Sequence, residues 1–359
     1  TDPLSRNFSF TYDVQGRLTG ETTPDNRTIN YGYDAAGNMT SITPPGRPSH
    51  TFTYNELDLM TSYTAPAVSG GGTNQTTYAY NFAQQLELVT RPDGLTLDYQ
   101  YDQAGRLDAL VTPRGTYDYS YAPATGQLNQ IGAPGGVNLD YTYNGEVLTG
   151  VSWSGPVNGT VGYGYDAAAR LTNLTVTGSS GPATPFSFSY DADDMLTQAG
   201  DLSLTYNAQT GLISGTTLDA TTDSWSFNAF AELSGYSAAF NGGNVFNVQY
   251  TRDNLRRITQ KVETVAGQTT TKTYTYDLAG RLATETVNGN TIAAYTYDSN
   301  GNRLSDGVNS ATYDAQDRLL QYGSASYTYT ANGELLTKTE GGQTTTYSYD
   351  VLGNLVGVT

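Results

Sequence analysis

Tyr12-Asp13-Val14-Gln15-Gly16-Arg17-Leu18 is the stretch whose reading decides the fold. It returns as Tyr33-Asp34-Ala35-Ala36-Gly37-Asn38-Met39, as Tyr101-Asp102-Gln103-Ala104-Gly105-Arg106-Leu107 and as Tyr276-Asp277-Leu278-Ala279-Gly280-Arg281-Leu282. Tyr297-Asp298 and Tyr349-Asp350 head two more close copies. Degenerate copies stand at Tyr54, Tyr80, Tyr121, Tyr143, Tyr165, Tyr190, Tyr206, Phe227, Tyr250, Tyr313 and Tyr329, which gives seventeen anchors in 359 residues. A period of about 21 residues marks a tandem array, which grows without a domain break. Residues 1–359 are therefore read as one array.

Each anchor closes a segment that alternates with period two. Tyr31 and Tyr33 share one face, Asn30 and Gly32 the other, and all anchors except Tyr206, Tyr250 and Tyr313 have an aromatic two residues earlier. This is a strand with one aromatic and one small polar face. The following Asp-x-x-Gly is a turn: Asp accepts backbone N–H groups two or three residues on, and Gly at the fourth position supplies positive φ for a type I turn closed by a bulge. Asp58, Asp194, Asn254 and Asp317 take the place of Gly in degenerate copies. A second strand follows with an apolar pair three apart (Leu107/Leu110, Leu128/Ile131, Leu171/Leu174), read as bulged rather than helical because no 3.6-residue stripe continues. Asp25-Asn26, Asp93-Gly94 and Asn288-Gly289 are the return turns. The expectation is an all-β chain of tandem antiparallel β-hairpins, about 34 strands and about 160 Å of ribbon. It has no helix longer than about two turns, and so long a sheet must coil. The Thr/Ser/Asn/Gly face suits water, so the ribbon is expected to be a single curved layer and not a sandwich.

At these motifs the chain resembles the YD/Rhs repeat family: bacterial Rhs proteins, the shell subunits of insecticidal toxin complexes and the YD shell of teneurins. Nine copies keep Tyr-Asp and six keep Tyr-Asp-x-x-Gly. The resemblance implies a ribbon coiled into a spiral shell, here a partial β-cocoon. In toxin systems such a shell is secreted and encloses a cytotoxic C-terminal segment; in teneurins it belongs to an extracellular adhesion ectodomain. Partners implied are an enclosed toxin polypeptide or the remainder of the same shell, or a cell-surface glycan or receptor. The chain carries no hypervariable C-terminal toxin segment. It also lacks the Asp-Pro-rich core with self-cleaving aspartates; Arg91-Pro92-Asp93-Gly94-Leu95 is only superficially like it. Thr359 is read as lying just after the first strand of the last hairpin, as in a fragment of a longer shell.

Composition narrows the chemistry. The formal net charge is −17, with Lys261, Lys272 and Lys338 the only lysines, so there is no basic stripe for nucleic acid. No apolar run is long enough to span a membrane as a helix. There is no Cys and one His, His50, which alternates with Phe52 and Tyr54 and reads as strand packing. Asp191, Asp193 and Asp194 have the composition of a calcium loop but fit a degenerate turn better. The repeat aspartates are accounted for by their turns and the tyrosines by stacking, rather than by glycoside hydrolysis or sugar binding. Sequons occur at Asn7, Asn26, Asn38, Asn74, Asn158 and Asn173. No catalytic residue, cofactor site or metal site is expected.

Overall fold

The computed structural model describes residues 1–68, 73–178 and 184–359. Those residues form 35 β-strands and no α-helix. An anchor strand ends at or near each tyrosine-aspartate turn, and a return strand follows it. Examples are Ser9–Tyr12 with Leu18–Thr22, Thr28–Tyr33 with Met39–Thr43, and Gly115–Tyr121 with Leu128–Ala133. The pairing is antiparallel between strands consecutive in sequence. The count exceeds the expected 34 because one anchor strand is interrupted at Tyr295, leaving Asn290–Ala294 and Thr296–Tyr297 as separate pieces. The strands up to Ala294 belong to a 27-stranded sheet; a two-stranded sheet and a six-stranded sheet follow.

The all-β, tandem-hairpin expectation holds, and the bulge explains the apolar spacing of three. At turn after turn the register slips by one residue before the anchor: Thr11 faces Gly20, but Tyr12 faces Leu18. The extra residue puts Leu18 opposite the anchor and Glu21 opposite Phe10. In the same way Leu128 faces Tyr121 and Ile131 faces Tyr119. A pair three apart therefore shares one face, which a regular strand forbids.

Three details of the reading change. Asp13 accepts N–H bonds from Gln15 and Arg17, two and four residues on, at 2.9 and 3.0 Å. In the twelfth repeat the heading pair is Arg252-Asp253, not Tyr250-Thr251: the bulge falls at Arg252 opposite Ile258, and positive φ falls on Arg256 (66°) rather than on Asn254. Tyr250 is thus the aromatic two residues before the anchor position. Finally, Leu355–Val358 is the second strand of the Tyr349 hairpin, paired with Gln343–Tyr349, so Thr359 follows a return strand and not a first strand.

Two compact units are distinguished, Thr1–Gly105 with Leu110–Arg114 and Thr273–Thr359, and Arg106–Ala109 with Gly115–Lys272. Within each, among the described residues, strands lie beside their neighbours in sequence. Accordingly no large side chain among the described residues is fully buried, and the buried apolar residues are few and scattered, such as Val89, Leu110 and Val248. The polar face carries hydroxyl pairs across strands, for example Thr275 with Thr284 at 2.6 Å and Thr328 with Thr337 at 2.6 Å.

Gly105 sits at φ +77°, and a Cβ there would meet Gln85 Nε2 at 3.3 Å. Gly105→Val is expected to cost about 1–3 kcal/mol, because a β-branched side chain is strained at positive φ. Thr275→Ser keeps the hydroxyl pair and should cost under about 0.5 kcal/mol. Thermal melts of the two variants check this; equal shifts would remove the turn assignment.

Candidate functional site

The repeat motif works by joining successive hairpins. Arg17 Nε donates to Asp13 Oδ2 at 2.7 Å within its own turn, while Nη1 donates to the Asp34 carbonyl of the next turn at 2.8 Å. The same guanidinium lies 4.8 Å from the centroid of the Tyr33 ring. Tyr33 in turn donates its hydroxyl to the Leu18 carbonyl at 3.0 Å. The Arg-Leu of one repeat thus holds the Tyr-Asp of the next. Arg281 repeats this on Tyr297: the ring is 4.6 Å away, Nη1 reaches the Asp298 carbonyl at 3.2 Å, and the tyrosine hydroxyl donates to the Leu282 carbonyl at 2.7 Å.

The hydroxyl ladder runs along the array. Tyr54 donates to Met39, Tyr101 to Leu86, Tyr143 to Leu128, Tyr190 to Leu171 and Tyr329 to Leu319, all at 2.7–2.9 Å. The acceptor is the first residue of the preceding return strand, where the bulge leaves its carbonyl without a ladder partner. Arg252 shows the rule by exception: it occupies the anchor position and its Nη2 donates to the Leu233 carbonyl at 3.1 Å. The hydroxyls are bonded to backbone, and the rings of Tyr33, Tyr121, Tyr190, Tyr297 and Tyr329 each lie beneath an arginine. A face already stacked beneath a guanidinium is not open to a sugar, so the structural reading of the tyrosines is favoured.

Both ends of the pH scale should weaken these joints. Asp13 and Asp166 lie below the ordinary carboxylate range, held there first by the backbone N–H of Arg17 and Arg170 and also by the guanidinium groups of the same residues. Their folded pKa is lower than their unfolded one, so the unfolded chain binds protons more readily in acid; this stability is present above about pH 4 and is lost as pH falls. Burial pushes Tyr54, Tyr101, Tyr297 and Tyr329 upward. Their stability is present below about pH 10 and is lost as pH rises through the raised folded value. Melting temperatures across the pH range should show a plateau with both flanks; a flat alkaline flank would contradict the ladder.

In the first unit the hairpin ribbon also returns to its own edge. Return turns from residues 2–95 meet tyrosine-aspartate turns from residues 277–351. Arg6 Nη1 donates to the Leu278 carbonyl at 2.8 Å, and Arg27 Nη1 to the Ser299 carbonyl at 3.2 Å, each across 272 positions of sequence. Arg47 bridges two successive turns, with Nη2 on Asp298 at 2.6 Å and Nε on Asp317 at 2.7 Å. Arg91 pairs with Glu334 and donates to the Val351 carbonyl. Asn332 Nδ2 donates to Asp93 at 2.6 Å, and Gln316 to the Pro66 carbonyl at 2.7 Å. The gripping turns share a pattern, Asp2-Pro3-Leu4-Ser5-Arg6, Thr23-Pro24-Asp25-Asn26-Arg27 and Thr43-Pro44-Pro45-Gly46-Arg47. Proline presets the turn, and arginine at its end reaches across. Arg91-Pro92-Asp93-Gly94-Leu95, which superficially resembled a cleavage motif, is one of these seam turns.

The remaining candidates take structural places. His50 Nδ1 lies 2.7 Å from the Tyr63 hydroxyl with the rings stacked at 5.9 Å. Asp191 accepts the N–H groups of Asp193 and Met195, while Asp194 stands at positive φ and pairs with Arg170. Among the described residues no cluster of three or more His, Cys, Asp or Glu is placed to hold a metal ion. In the second unit, the Asp223 oxygens are taken by Thr216 N–H, Trp225 Nε1 and the Tyr236 hydroxyl at 2.5–3.3 Å. Of the sequon asparagines, Asn26 sits in a return turn at φ 63°, and the amides of Asn38 and Asn74 donate within the structure.

A family model for the teneurin YD-shell matches residues 2–359. The chain belongs to this family. A search of curated proteins finds no match. Among solved structures, the Photorhabdus luminescens Tc holotoxin pore carrying TccC3-D651A is similar with a TM-score of 0.70 at 14% identity, over 95% of this chain and 22% of that one. The TcdB2-TccC3 structure follows at 0.58 and 14%, over 97% and 23%. TcdB2-TccC3 without its hypervariable C-terminal region gives 0.57 and 14%, over 97% and 23%. This YD-shell chain thus spans less than a quarter of the length of the chains it resembles, and it shares their fold of antiparallel hairpins coiled into a spiral shell. Family and fold point to a shell-forming, structural role rather than catalysis.

Proposed function

We propose that the chain is a wall segment of a secreted bacterial shell that encloses a toxic polypeptide, and that residues 1–359 form one hairpin array within a longer wall. The observation that carries this is the seam: a single-layer ribbon whose edge is fastened to its own later turns by Arg6, Arg27, Arg47 and Arg91 is built to close off a space. A one-layer sheet with a hydroxyl-rich face stands in water without a second sheet and leaves its enclosed side for cargo. No described helix is long and apolar enough to cross a membrane. The resemblance to toxin-complex structures supports an enclosed toxin as cargo, and the wall's other partner is the remainder of the same shell.

The test is limited proteolysis of the gene product as translated. A cargo segment should survive while the seam is intact and be digested in an Arg47→Glu variant; equal digestion in both would overturn the reading. The family's teneurin members support a second reading, an extracellular adhesion shell that binds a glycan or receptor, for which glycan-array binding by this segment is the discriminating result. A glycan-active enzyme is a distant third: a panel of glycans, peptides and nucleotides should show no turnover, and turnover abolished by a single Asp change would reverse that.

A further inference from the structure

We propose that Arg303 is a binding site for a carboxylate carried by a polypeptide, an isolated Asp or Glu among apolar residues. The choice of a polypeptide rests on the shell reading; the choice of a carboxylate does not.

Arg303 stands where the array elsewhere has an apolar residue. The return-strand residue facing the anchor is Leu18 at Tyr12, Met39 at Tyr33, Leu86 at Tyr80, Ile213 at Tyr206 and Leu319 at Tyr313. At Tyr297 it is Arg303. The strands around it are the shortest among the described residues: two residues in Thr296–Tyr297, and three each in Arg303–Ser305 and Ala311–Tyr313. The ladder also breaks here, so that this hairpin is a two-stranded sheet by itself. A repeat that gives up both its apolar residue and its ladder marks a place where something other than stability is served.

The exposure of Arg303 is that of a face, not of an edge. Hairpins lie before and after it: Tyr295 N–H donates to the Ala283 carbonyl at 2.8 Å, and Ser305 bridges to Ser310. Its turn is fastened in the seam, through the Ser299 carbonyl by Arg27 and through Asp298 by Arg47. Arg303 is exposed all the same. Its guanidinium lies over two rings, 5.7 Å from the centroid of Tyr295 and 5.3 Å from that of Tyr322. Arg17, Arg170, Arg281 and Arg318 also cover rings, but each is paired with the aspartate of its own turn. No ion pair to Arg303 is found among the described residues. The carboxylate at hand, Asp306, is taken by the Tyr322 hydroxyl and by the N–H groups of Val308 and Asn309. Ring faces thus hold the guanidinium and leave its edge N–H groups for a ligand.

A planar fork of donors matches the two oxygens of a carboxylate. The formal net charge of −17 disfavours a polyanion, whose further charges the chain would repel, and leaves a single carboxylate as the better match. The tyrosine rings beside the fork suit an aromatic or apolar neighbour on the ligand. One contact of this kind is weak, but a polypeptide confined by the wall meets it at high effective concentration.

The probe is the peptide acetyl-Phe-Glu-Phe-amide, titrated with the full chain and followed by NMR on the peptide. Saturable binding is expected, with a Kd of about 1–10 mM. The Gln analogue should bind at least about fivefold more weakly, since the charge-assisted pair is lost. Arg303→Lys keeps the charge and loses the fork, so binding should fall several-fold. Arg303→Leu restores the apolar row, and should abolish binding without lowering the melting temperature. A lowered melt in that variant would make the guanidinium a structural brace and overturn the proposal. Equal binding of the Glu and Gln peptides, or no binding of either, overturns it as well. Glucuronate displacing the peptide below the peptide's own Kd would overturn the polypeptide as partner, and inorganic phosphate doing so would overturn the carboxylate. Peptide binding is read on this chain and cargo protection on the gene product as translated, so failure of one is distinguishable from failure of the other.

Discussion

Tyr101→Ala should lower stability by about 2–4 kcal/mol, while Tyr101→Phe should cost only about 1 kcal/mol. The ring is half-buried in a sheet with no second layer, so its contacts come from the strand it follows, and its hydroxyl donates to the Leu86 carbonyl at 2.7 Å. Phenylalanine removes that bond and leaves one acceptor short. Alanine removes the ring as well, and with it a large share of the apolar surface that joins two hairpins. Phe227 stands at an anchor position in the native sequence, so the ring alone sustains a joint there. In an array held by nearest-neighbour interfaces, the loss should appear at the joint between Leu86–Thr90 and Thr96–Tyr101 before it appears globally. Hydrogen exchange on those two strands resolves it better than a single melt, since long arrays depart from two-state unfolding. Uniform exchange across the chain in Tyr101→Ala would mean that the tyrosine is not an interface residue.

The parts of this fold that were legible in the sequence are those set within about twenty residues. Alternation, the Asp turn and the glycine at positive φ are local physics, and the spacing of Leu107 and Leu110 already required a bulge. The register of the twelfth repeat was misread because Tyr250 looks like an anchor. The signal that places it correctly is Asp253 followed by Arg257, the same Asp and Arg spacing as Asp13 and Arg17. The destination of the tyrosine hydroxyls was also hidden: a bulge orphans a carbonyl, but only the stacking of one hairpin on the next brings a donor to it. The seam was hidden for a different reason. It joins residues 239 to 272 positions apart, and no short-range pattern encodes that distance. A trace of it was nonetheless present, since the Pro-x-x-Arg turns at Arg6, Arg27 and Arg47 are more elaborate than return turns such as Asn288-Gly289 need to be.

Arg47→Glu should open the seam. Arg47 is held between Asp298 and Asp317, at 18% side-chain exposure, and the carboxylates are 15% and 27% exposed. Burial alone would raise the Asp298 pKa; hydrogen bonds from Asn302 and the Arg47 charge outweigh it and hold the carboxylate below its usual range. Reversing the central charge removes two charge-assisted bonds and sets three carboxylates together in a poorly hydrated gap. The expected cost is about 2–4 kcal/mol, more than Arg47→Ala, which leaves two carboxylates that water can reach. The loss should be confined to the seam, because hairpin joints such as those of Arg17 on Tyr33 and Arg170 on Tyr190 use none of its groups. Protease cleavage or rapid exchange should therefore appear at the turns around Ser299 and Asp317 while strands such as Gly159–Tyr165 stay protected. A compensating Asp298→Arg placed in the Arg47→Glu background should recover part of the protection, as a double-mutant cycle requires of a direct contact. If the single variant leaves the turns around Ser299 and Asp317 as protected as in the native chain, the apposition of the ribbon's two edges is held by something other than these arginines.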